Sequence, residues 1–144
     1  WKHLWIKLGD DVLTPDAIFT LQYADQSYRH FCLEADRGTE PIYRANPKQT
    51  SIYRKLKLYQ QLLINSAPLG IKAPLFVVFV TVGESRLDKM REQLRAMEKV
   101  GLSRILFKTM NGNGFGAPPA DGSMLTEPYL RAAYPEFRID DWKA

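Results

Sequence analysis

Three features of the sequence predict an α/β domain with a mixed β-sheet flanked by helices. Residues 16–21 and 28–36 alternate apolar and polar side chains, the two-residue period of half-buried strands. Residues 75–82 form a continuous apolar run, as a strand covered on both faces does. Segments near 52–65 and 87–97 place apolar residues three and four apart, the spacing of one helical face. The order is strand, strand, helix, strand, helix, strand, which combines a hairpin with parallel crossovers.

At 144 residues the chain fits one domain, 1–144, large enough to bury a core without disulfides. Hydrophobic residues at 45% and charged residues at 25% exclude a disordered tail, a collagen-like rod and a disulfide scaffold. Cys32 is the only cysteine, so neither an internal disulfide nor a multi-cysteine zinc site can form. That points to a reducing, cytoplasmic compartment. The run 75–82 is too short to span a bilayer and no signal peptide is visible, so no membrane partner is expected. The chain starts at Trp1 rather than Met, which reads as a fragment whose upstream part is missing.

Residues 1–12 are an ambiguous lead-in. Trp1, Leu4, Trp5 and Leu8 suit one helical face, while His3–Leu8 suits a strand. In the first clear strand Ala17, Phe19 and Leu21 alternate with Asp16, Ile18 and Thr20. Residues 24–27 read as a turn. In the strand from Tyr28 to Asp36, Phe31, Leu33 and Ala35 point one way and His30, Cys32, Glu34 and Asp36 the other. After the 37–47 loop, which Arg37 and Glu40 would tie down, Thr50 or Ser51 caps a helix to about Asn65. Its stripe is Ile52, Leu56, Tyr59 and Leu63. Pro68, Gly70 and Pro74 break the chain before the buried strand. Ser85 and Asp88 have capping-box spacing for the second helix, and Gly101 suits its C-terminal cap. Ile105–Phe107 is the last strand. Residues 111–144 read as mostly irregular, with Gly112, Gly114 and Gly116 in a loop rather than a dinucleotide fingerprint, because no helix follows.

The net charge of +4 is modest, but its distribution is not even. Between Pro41 and Gly83 stand six basic residues, Arg44, Lys48, Arg54, Lys55, Lys57 and Lys72, and no acidic one. Tyr43, Tyr53 and Tyr59 lie among them. Such a stretch suits a phosphate backbone, and it also suits a solvated surface with lysine stems laid over apolar neighbours. Arg44, Lys48, Arg54, Lys55 and Lys57 are the candidate nucleic-acid contacts.

Chemistry concentrates at the hairpin. If Ala17 opposes Leu33 and Phe19 opposes Phe31, Asp16 opposes Glu34, and Asp16, Glu34 and Asp36 share one face. Three converging carboxylates repel unless a cation sits among them, and oxygen donors select Mg²⁺ or Mn²⁺ over zinc. The plainer reading is that strand ends carry acids because they meet solvent. His30 and Cys32 share the acidic face but make no zinc site and read as sheet residues.

Pro15-Asp16 followed by Glu34-Ala35-Asp36 on the next strand resembles the PD-(D/E)XK, restriction-endonuclease-like core. More narrowly, PDAIFTL, FCLEADRGTEP and RKLKLY resemble the replication-relaxation family of plasmids and integrative elements. The resemblance covers about residues 13–110. It implies DNA as partner, with other mobilisation or replication proteins, an upstream DNA-binding domain and metal-dependent phosphodiester hydrolysis. Asp16 matches the first metal-binding acid and Glu34 the second. The third position of the pattern is a lysine that orients or deprotonates water, and here Asp36 stands there. Some nuclease-like proteins carry that lysine on the following helix, where Lys55 is the substitute. Lys57 points about 140° away from Ile52, toward solvent. The catalytic set implied is Asp16, Glu34, Asp36 and Lys55. The alternative is a catalytically inactive DNA-binding or protein-interaction module with the same fold.

Overall fold

The structure is a computed structural model and describes residues 4–72, 74–110, 122–141 and 143. The lead-in is a short antiparallel hairpin, β1 (Ile6–Leu8) with β2 (Asp11–Leu13), in register Ile6 to Leu13. It turns at Gly9, whose φ of +61° is the left-handed value glycine takes without strain. The helical alternative is not formed: Ile6 and Leu13 are buried, while Trp5 is 70% exposed. Trp1 and His3 lie outside the described residues.

The main sheet has the order β3 (Ala17–Gln22), β4 (Tyr28–Ala35), β5 (Leu75–Thr81), β6 (Ile105–Thr109). β3 and β4 are antiparallel, with Ala17 opposite Leu33 and Phe19 opposite Phe31. β4–β5 and β5–β6 are parallel, so the sheet is mixed. The β3–β4 turn holds Gln26 at φ 70°, and Asp25 accepts from the Ser27 N–H at 3.0 Å.

Helix α1 (Ile52–Ile64) links β4 to β5, and α2 (Glu84–Arg95) links β5 to β6. Each crossover advances one strand in the same direction, which puts both helices on one face. There Leu56, Tyr59, Leu62, Leu87, Met90 and Leu94 pack on Cys32, Val77, Phe79, Ile105 and Phe107. The β1–β2 hairpin joins this layer through Ile6 and Leu13. It covers a flank of α1 that the apolar stripe did not predict, and Leu58 and Leu62 are buried.

Phe31, Phe76, Val78, Val80 and Leu106 point to the other face, as the pleat requires. Tyr129, Phe137 and Ile139 cover them. The rings of Phe19, Phe31, Phe76 and Phe137 stack in sequence, with centroids 4.9, 5.5 and 5.2 Å apart. Of the C-terminal part, the described residues contain only the short helix α3 (Ser123–Thr126) and two bridges, Phe107 to Leu130 and Tyr129 to Phe137. Gly112, Gly114 and Gly116 fall outside the described residues.

Local chemistry explains the helix ends. Ser51 caps α1, its Oγ accepting from the Arg54 N–H at 3.1 Å. The Ser85/Asp88 capping box does not form. Gly83 is the N-cap without a side-chain bond, Glu84 already lies in the first turn, and Asp88 turns out toward Arg91 at 3.6 Å. Nor does Gly101 cap α2, which ends at Arg95 with Ala96 as its C-cap. Gly101 serves the turn before β6, where φ is +69° and an added Cβ would lie 2.6 Å from Leu63 Cδ1.

Candidate active site

The site lies where β4 and β5 end, at the carboxyl edge of the parallel strands. Asp16 immediately precedes β3, and its N–H donates to the Leu33 carbonyl at 3.0 Å. Continuing the hairpin register by one residue puts Asp16 opposite Glu34 on the helix-covered face. Asp16 Oδ2 accepts from the Ala35 N–H at 2.7 Å, which fixes its carboxylate across the end of β4.

Glu34 is 3% exposed. The Tyr59 hydroxyl donates to its Oε1 at 2.6 Å, and Lys55 Nζ lies 3.4 Å from its Oε2. Both partners come from α1, one turn apart, so a single helix face supplies a donor and a cation. Lys55 also meets Glu40 Oε1 at 3.1 Å, and Glu40 Oε2 is buried with no hydrogen-bond partner among the described residues. Burial is the largest influence on Glu34 and raises its pKa. Lys55 and Tyr59 pull it down, Asp16 pushes it up, and the net direction is upward. Burial disfavours the Lys55 cation, but Glu34 and Glu40 outweigh it and raise its pKa. Tyr59 is pushed upward by burial and by Glu34, so it stays a donor. The group is a buried carboxyl held between one hydroxyl donor and one ammonium.

Asp36 belongs to a different contact set. Arg86 grips it with two bonds, Nε to Oδ2 at 2.6 Å and Nη2 to Oδ1 at 2.8 Å. The Thr81 hydroxyl donates to Oδ2 at 2.6 Å. Arg86 also donates to the Glu40 carbonyl at 2.6 Å, so it ties the loop after β4 to α2. Burial opposes ionisation of Asp36, and the Arg86 and Thr81 bonds outweigh it, holding the carboxyl below its ordinary value. Lys55 reaches Glu34 and Glu40 rather than Asp36, because Arg86 already occupies Asp36. Among the described residues, no group of three or more His, Cys, Asp or Glu is arranged to hold a metal ion.

The basic residues do not form one stripe. Lys55 turns inward to the carboxylates. Arg54 pairs with Asp11 at 2.9 Å and donates to the Pro47 carbonyl. Arg44 donates to Gln49 at 3.3 Å, and Lys48 and Lys57 are exposed. An open groove of about 830 Å³ runs beside the site between Gly38 and Gln49, with Arg44 and Arg86 in its wall. His30 bonds Thr20 at 2.6 Å. Cys32 is fully buried and its thiol is pushed up to about 12, mainly by burial, so it is no nucleophile.

Arg86 and Thr81 were invisible to sequence reasoning, since Arg86 lies 50 residues from Asp36. Tyr59, a residue of the apolar stripe, also donates directly to Glu34. Comparison of the chain with protein-family models, curated protein sequences and solved structures gives no match. No helix of the described residues is long and apolar enough to cross a membrane.

Proposed function

We propose that this chain is a DNA-associated, nuclease-like domain that hydrolyses phosphodiesters with a divalent cation, on a PD-(D/E)XK-like core. One observation carries the reading: Lys55, on the helix after β4, sets its ammonium 3.4 Å from buried Glu34. A helix-borne lysine there supplies the charge that the strand position occupied by Asp36 lacks. Asp16 and Glu34 are the two acids that would hold Mg²⁺ or Mn²⁺. Two carboxylates suffice for Mg²⁺, which keeps several waters and takes further oxygens from substrate phosphate. Asp36 does not fit this set, because both its oxygens accept from Arg86. When bound, the ion supplies Lewis acidity at phosphate and a more acidic water. Lys55 holds positive charge beside the reacting phosphate, and Tyr59 orients Glu34.

The resemblance to replication-relaxation proteins supports a setting in plasmid relaxation, replication or transfer, with DNA and other mobilisation proteins as partners. A second reading is a catalytically silent DNA-binding or protein-interaction module. It is favoured by the double pairing of Lys55 to Glu34 and Glu40, which also serves as a purely structural network.

Incubation of supercoiled plasmid with the chain and Mg²⁺ or Mn²⁺ tests the first reading. Nicking is expected, abolished by Asp16→Ala and reduced by Lys55→Met, with DNA affinity changed much less. Nicking that survives Asp16→Ala belongs to a contaminant and removes the enzyme reading. DNA binding without cleavage leaves the silent module.

A further inference from the structure

The loop after β4 and the outer face of α1 carry a second arrangement that the site does not use. Tyr43 is 58% exposed, a high value for a large aromatic ring. Its ring meets that of Tyr53, the second residue of α1, edge to face with centroids 5.2 Å apart. The Tyr53 N–H donates to the Ile42 carbonyl at 2.8 Å, so backbone as well as ring fixes Tyr43 against the helix. This is a rigid, presented aromatic rather than a core residue displaced to the surface.

Tyr43 packs on Tyr53, which lines one groove, and directly precedes Arg44, which lines another. Tyr53, Lys57, Gln61, Ile64 and Met97 line the first, a groove of about 360 Å³ along the outside of α1. The second is the open groove from Gly38 to Gln49, walled by Arg44 and Arg86, and its Glu40 pairs with Lys55 at 3.1 Å. Lys48 and Lys57 are exposed and form no salt bridge among the described residues. The nearby anion Asp11 is already paired to Arg54, and Glu98 borders only the α1 groove.

We propose that this surface binds single-stranded DNA, with Tyr43 the ring on which a base stacks and Arg44, Lys48 and Lys57 the cations for its phosphates. The inference rests on the DNA reading above and specifies the strand form. Charge complementarity gives the backbone attraction, which single and double strands share. The ring decides between them. An unpaired base offers its π-face to an exposed aromatic, whereas a duplex keeps its bases stacked on one another.

Fluorescence anisotropy with a short labelled oligonucleotide, its duplex and an abasic strand of the same length tests this on the full chain. The single strand should bind more tightly than either the duplex or the abasic strand. Tyr43→Ala should weaken the single strand about tenfold, the loss of one stacked base, and leave the abasic strand unchanged. Tyr43→Phe should bind like the parent. The wild-type comparison of the three ligands stands even if a variant fails to fold. If no DNA form binds, the DNA reading and this inference fall together. If the duplex binds at least as tightly as the single strand, or Tyr43→Ala weakens the abasic strand equally, only this inference fails.

Discussion

Glu34 is a carboxyl that the fold keeps almost dry while giving it one hydroxyl donor and one cation. The upward direction of its pKa sets a sign for stability. A carboxyl whose folded pKa is raised favours the native state while protonated. That contribution is complete below the ordinary value of 4.5 and is lost as pH rises through the folded value. Glu34→Gln mimics the protonated form and can still accept from Tyr59. In denaturant titrations, the stability of Glu34→Gln relative to the parent should therefore climb as pH rises from 4.5 toward neutrality. A pH-independent gap would show that Lys55 fully compensates the buried charge.

At the level of elements, the Asp36–Arg86 pair joins the end of β4 to α2 and, through the Glu40 carbonyl, to the intervening loop. The sign here is opposite. Asp36 has its pKa lowered, so its contribution is present above the ordinary 3.8 and fades as pH falls through the folded value. Asp36→Asn should cost about 2 kcal/mol at neutral pH, the scale of hydrogen bonds to charged groups, and progressively less in acid. A cost that does not change with pH would assign the loss to packing rather than charge. Sequence reading reached the β3–β4 register because Ala17, Phe19, Phe31 and Leu33 leave one alignment that keeps apolar residues together. It did not reach β1 and β2, since three-residue strands carry too little periodicity to separate from a helix turn. Nor did it reach Arg86, because a bidentate partner across a parallel crossover leaves no mark in local spacing. The placement of Lys55 was legible from the helical wheel; its second carboxylate, Glu40, was not.

On the scale of the molecule, the two faces of the sheet are covered by different means. Helices cover one, and the largely irregular 129–139 segment covers the other with Tyr129, Phe137 and Ile139. A segment rich in turns is still core when its aromatics end a ring stack that begins at Phe19. Phe137→Ala should therefore lower stability by about 3 kcal/mol, the cost of emptying a buried aromatic site, as read by urea denaturation. A change within about 0.5 kcal/mol, the range of ordinary surface substitutions, would show that the segment merely lies on the sheet.

The strand pairing that builds the site has a consequence for how the protein is gained and lost. Asp16 and Glu34 meet within a local hairpin, but Lys55 lies 21 residues beyond Glu34, and Arg86 is 50 beyond Asp36. Parallel pairing of β4 with β5 requires the whole intervening crossover to close, and loop closure costs entropy before any contact offsets it. The acids thus meet across a short hairpin turn, whereas the cations reach them only across longer stretches of chain. The cation contacts of Glu34 and Asp36 therefore depend on the crossovers, while the pairing of Asp16 with Glu34 depends on the hairpin alone.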